Sequence, residues 1–169
     1  MSSRTIRTVL RLLILVVLQV LVFRHVQVGP YGHFFIYPLG LLLLPTEWNV
    51  SIVMLVGFLT GLIVDWFYGS LGVQAASMVL LAFVRPWILR LIAPTTGYPT
   101  AVVPVASRMG LLWYLRYVGL GLFVFIFSYY LIEAFSLVYF YNVLLKTTAS
   151  WMLSLVLILL HQMIFNPSH

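Results

Sequence analysis

Glu47, Asp65 and Glu133 are the acidic side chains of this 169-residue chain and His25, His33, His161 and His169 its imidazoles, and it has no cysteine. Intramembrane hydrolysis would need an activated nucleophile, a paired acid or a metal motif. Ser77, Ser128 and Ser154 lie in long apolar stretches, but no base stands at a convincing spacing from any of them. No two of His25, His33, His161 and His169 have the i, i+3 or i, i+4 separation of a helical metal site, and no thiolate could complete one. HExxH, GxSxG and phosphate-loop patterns are absent. We therefore expect no catalytic residue, no metal and no cofactor, and a protein that is not an enzyme.

The remaining charged and small residues have a pattern of their own. Glu47, Asp65 and Glu133 are the only acids. Acids at membrane depth need partners, which predicts an outer-side polar cluster of Arg24, Asp65, Glu133 and Lys146, paired as Asp65 with Arg24 and Glu133 with Lys146; the bland alternative leaves all four hydrated at the interface. Gly57 and Gly61 stand four apart, with Asp65 four further on, so the three share one helical face. Gly57-x-x-x-Gly61 is the small-residue spacing that lets helices approach closely. It can serve a partner helix or the chain's own next helix. Gly69 and Gly72 mark a turn, and Gly72 and Ala76 repeat the spacing beyond it. Arg85, Pro86, Trp87, Arg90 and Arg108 read as anchors at the cytoplasmic interface, where Trp and Arg are at home.

Positioning these residues falls to membrane-spanning helices. Sixty-three per cent of the chain is hydrophobic and only 7% charged, against roughly 25% charged in a soluble domain. Continuous rather than alternating apolar runs favour helices over a barrel. The pattern predicts one all-α membrane domain over 1–169, with six spans at about 6–23, 31–45, 47–67, 71–92, 110–133 and 142–165. Arg4, Arg7 and Arg11 precede the first span and no cleavage pattern follows it, so a retained signal-anchor is expected. The second span is short and holds Pro38 and Gly40; an apolar run of this length also suits a re-entrant segment. Thr46 suits the N-cap of the third, with Glu47 in its first turn. Pro86 should kink the fourth or end it early. The net charge of +6 comes from cations flanking spans, which set topology and touch anionic lipid rather than nucleic acid. Six cations on the side of the termini against two opposite, Arg24 and Lys146, place both termini in the cytoplasm. Arg116 fits neither group: the fifth span starts later than drawn, or Arg116 snorkels.

On the block GFLTGLIVDWFYGSLGVQAASMVLLAFVRPWIL (57–89), the arginine-rich start before LRLLILVVLQVLVF, LLLLP at 41–45 and YYLIEAFS at 129–136, the chain resembles the rod shape-determining MreD family, in particular its Bacteroidetes-like members. The likeness covers nearly the whole chain. It implies a multi-pass inner-membrane protein of the cell-elongation machinery, binding the single-span periplasmic protein MreC and working with MreB, RodA and its partner transpeptidase in lateral wall synthesis. It also implies a fold similar to the S-components of energy-coupling-factor vitamin transporters. No catalytic residue carries over; Gly57, Gly61, Asp65, Gly69, Gly72, Arg85 and Pro86 do, as structural or contact positions. Self-association is open. The alternative is a vitamin-binding subunit of such a transporter. Those subunits typically carry Ala-x-x-x-Ala in the first helix, whereas Val9 to Phe23 has neither alanine nor glycine. A channel would need a polar stripe, and the spans offer only Gln19, Thr60, Gln74, Ser77, Ser128 and Ser154.

Overall fold

The fold is described from a computed structural model that covers residues 3–23, 27–28, 32–70, 72–93, 104–105, 109–135 and 140–165. Helix α1 (Ser3–Leu18) runs into a π-helical turn, Gln19–Phe23. Two short strands follow, β1 (Gln27–Val28) and β2 (Gly32–His33), paired antiparallel with Gln27 opposite His33. A five-residue helix α2 (Pro38–Leu42) precedes four long ones: α3 (Val50–Tyr68), α4 (Val73–Leu91), α5 (Leu111–Ala134) and α6 (Phe140–Phe165). Those four are long and apolar enough to cross a membrane, and Thr8–Val22 forms a shorter apolar helix.

The stretch expected as a second spanning helix is not one. Pro38 can open a helix because its missing N–H is an orphan there anyway, so it starts α2, which ends after little more than one turn. The backbone from Phe34 to Leu44 is otherwise irregular, and Phe35 to Leu44 are buried. This segment still travels the depth of the bundle. One end is bonded beside Tyr130 and the other beside Tyr117. Thirteen helical residues separate those tyrosines, roughly 20 Å at 1.5 Å per residue. It is a broken crossing, wrapped by protein.

The long helices start and stop where local chemistry dictates. Asn49, not Thr46, caps α3, its side chain accepting from the Ser51 N–H at 3.2 Å. Gly69 ends α3 with φ 68° and Gly72 precedes α4 with φ 81°, both left-handed conformations that favour glycine. Pro86 does not end its helix, and Trp87 to Leu91 belong to α4.

Close packing of α3 on α4 needs the glycines. A Cβ on Gly61 would lie 2.5 Å from the Ala75 Cα, and one on Gly57 3.0 Å from the Met78 carbonyl oxygen. The small-residue face of α3 is therefore filled by the chain's own α4, which leaves no room there for a partner helix. The α4 residue meeting Gly61 is Ala75; Ala76 is exposed. Nothing would meet a Cβ on Gly69 or Gly72, so these two shape the turn and make no helix contact.

Candidate functional site

A non-helical crossing buried among helices has a backbone whose polar groups find no water, and each must be satisfied by the protein. Side chains from all around the bundle do this. In the π turn, Gln19 takes the Ile36 N–H on Oε1 at 2.9 Å and donates from Nε2 to the Phe34 carbonyl at 2.8 Å and to the Tyr68 hydroxyl at 2.9 Å. On α6, Ser150 accepts from the His33 N–H at 3.0 Å and Ser154 from the Phe35 N–H at 2.9 Å. These serines are four apart and face the same way for that reason. Tyr37 donates to Gln74 Oε1 at 2.6 Å, while Gln74 Nε2 stays buried without a hydrogen-bond partner.

The far end of the crossing is held by Arg85. Its side chain is 4% exposed. Nε donates to the Tyr117 hydroxyl at 2.9 Å, Nη2 to the Leu42 carbonyl at 3.4 Å and to the Leu44 carbonyl, and Tyr117 donates to the Leu42 carbonyl at 2.9 Å. Arg85 was expected at the cytoplasmic interface; instead it is a buried clamp. Trp87 and Arg90 next to it are exposed, with the Arg90 guanidinium 5.8 Å from the Trp87 ring centre. Arg108 lies outside the described residues.

The expected outer cluster is rearranged. Asp65 is buried, and its carboxylate accepts from the Ser70 hydroxyl at 2.5 Å and from the Gln74 and Ala75 N–H groups at 3.0 and 2.9 Å. It thus satisfies the first turn of α4, where backbone donors lack helical partners. Arg24 lies outside the described residues. Glu133 and Lys146 share a neighbourhood without touching. Glu133 accepts from the Tyr129 hydroxyl at 3.3 Å, and the Lys146 ammonium lies 5.6 Å from the Tyr130 ring centre.

The Tyr130 hydroxyl is 3.0 Å from His33 Nδ1 and 2.8 Å from Ser150 Oγ. With Ser150 accepting the His33 N–H, the three residues close a ring of hydrogen bonds.

The polar residues a pore would require are turned elsewhere. Thr60, Ser77 and Ser128 bond carbonyls of their own helices, and Gln19, Gln74 and Ser154 serve the buried crossing. Sequence reasoning missed the roles of Gln19, His33, Tyr117, Tyr130 and Ser150. The usable signal was Ser150 and Ser154 four apart in an apolar helix, together with a Pro–Gly-broken apolar run that needed donors.

This geometry defines a class: a helical bundle with four membrane-length helices and an irregular crossing held at its centre by polar side chains. No family model matches the chain, and neither the curated proteins nor the solved structures include a significant match. Among the described residues no group of three or more His, Cys, Asp or Glu could hold a metal ion.

Proposed function

We propose that this protein is a non-enzymatic membrane scaffold of the bacterial cell-elongation complex, seated in the inner membrane and binding an MreC-like single-span partner beside MreB, RodA and its transpeptidase. The resemblance of the 57–89 block to MreD proteins motivates the reading. The observation that carries it is the engagement of Gln19, Arg85, Ser150 and Ser154 with one internal backbone segment. Buried polar side chains used this way build a rigid body, and a rigid body acts through its outer faces.

A partner helix would then meet the outer face of α3, where Leu55, Leu59 and Leu62 are exposed and Trp66 is 86% exposed. The Gly57–Gly61 face is closed to it. Cysteines placed singly at Leu59 and Leu62 should crosslink in cells to an MreC-like protein, identified by affinity purification. Recovery of transporter-energising subunits, or of the chain alone from both positions, would defeat the proposal.

A further inference from the structure

Arg116 is the one cation of the four long helices, among those whose side chains are described, that lies at membrane depth, exposed and without a partner. It makes no hydrogen bond or ion pair among the described residues. Its depth follows from packing. The bonds Arg85–Tyr117 and Trp113 Nε1 to the Ile92 carbonyl (2.9 Å) align the end of α4 with the start of α5. Helix α5 has 24 residues, about 36 Å at 1.5 Å per residue, against roughly 30 Å of hydrocarbon. Arg116, five residues from its start, thus lies about 4–5 Å inside the hydrocarbon boundary if the helix is centred.

A guanidinium there reaches for the headgroup layer and for a counter-charge, and no carboxylate among the described residues pairs with it. Asp65 is bonded to the first turn of α4. Glu133 is seventeen residues along α5, roughly 25 Å away. Glu47 is exposed in the turn before α3. What the structure does supply is space: a cavity of about 550 Å³ between the ends of α4 and α5, with Arg116 on its wall beside Leu91, Leu111, Leu112 and Trp113. Leu91 and Leu112 are mostly exposed. One wall thus offers a cation just inside the hydrocarbon boundary, within side-chain reach of the headgroups, and, adjoining it, apolar surface running into the bilayer.

We infer that this cavity is a binding site for an anionic phospholipid, with its phosphate on Arg116 and an acyl chain along Leu91 and Leu112. Arg90, at a similar depth on α4, provides the internal control, because it lies over Trp87 and does not line the cavity. The site is independent of the scaffold proposal.

The test uses the full chain in mild detergent, with thermal unfolding followed as phosphatidylglycerol, phosphatidylcholine or inorganic phosphate is added. Phosphatidylglycerol should stabilise the wild type more than phosphatidylcholine does, and inorganic phosphate should not. Arg116→Gln should weaken the apparent affinity about fivefold, the effect of one surface cation on anionic lipid. Arg116→Lys should retain most of it and Arg90→Gln should stay within about twofold of wild type by the same reasoning. Leu112→Trp, which narrows the cavity with every charge intact, should weaken binding as well. Equal responses to the two lipids, an equal loss in Arg90→Gln, or unchanged binding in both Arg116→Gln and Leu112→Trp would overturn the assignment. A full response to inorganic phosphate would make the occupant a free anion and overturn it too.

Discussion

Arg85 carries its charge into the bundle and meets it with oxygen dipoles: two carbonyls at the end of α2 and the Tyr117 hydroxyl. The planar guanidinium reaches three acceptors at once, which an ammonium on a flexible stem does not reproduce. Arg85→Met should leave the buried Leu44 carbonyl unsatisfied, while Leu42 keeps its bond from Tyr117, and lower stability by roughly 1–3 kcal/mol; Arg85→Lys should restore little of it, and thermal unfolding in detergent measures both. At this scale the sequence disclosed which residues matter better than what they touch. Asp65 was legible as an acid needing partners, but two of its three partners are N–H groups of α4, and backbone donors have no letter in a sequence.

The same division runs through the elements. Long apolar runs made α3 to α6 legible, with ends shifted by one to three residues at most of their boundaries, because lipid leaves helices as the economical solution for an unbroken run. The segment 31–45 was legible only as an anomaly. Composition marked it apolar and Pro38 and Gly40 marked it broken, yet its path depends on Gln19, Arg85, Ser150 and Ser154 from three other elements. Gly40 shows how tightly that path is drawn, since a Cβ there would come 2.5 Å from Leu12 Cδ1 and 3.2 Å from the Leu12 Cα. The α3–α4 contact gives a sharper test. In Gly61→Ala the new methyl meets backbone, which cannot rotate away, so the helices must part at a cost of roughly 1–3 kcal/mol. At Gly119 the nearest atoms to a Cβ are side-chain carbons of Trp151 and Leu155 at 3.8 and 4.0 Å. Gly119→Ala should therefore be neutral or stabilise by up to about 1 kcal/mol through helix propensity. Equal unfolding midpoints for the two variants would contradict the close approach at Gly61.

For the molecule as a whole, the broken crossing decides which ends of the bundle lie together. If residues 33–44 dipped in and returned, α1 and α3 would begin on opposite sides. The contacts exclude that arrangement. Gln19, just past α1, and Tyr68, at the end of α3, meet at one end beside Phe34. Leu44 is held by Arg85 toward the other end, and the turn to α3 follows directly. The starts of α1 and α3 therefore share a side, opposite the 69–72 turn and the start of α6. The proposed orientation, read from the positive-inside bias, makes the first side cytoplasmic. The absence of native cysteine makes the arrangement directly measurable with single-cysteine variants and a membrane-impermeant thiol reagent. Arg4→Cys and Glu47→Cys should label only when the cytoplasmic face is opened, and Tyr141→Cys, at a position 73% exposed, should label in intact cells. Labelling of Glu47→Cys together with Tyr141→Cys would mean that the chain turns back within the membrane, and the path of residues 33–44 through the bundle would then be wrong.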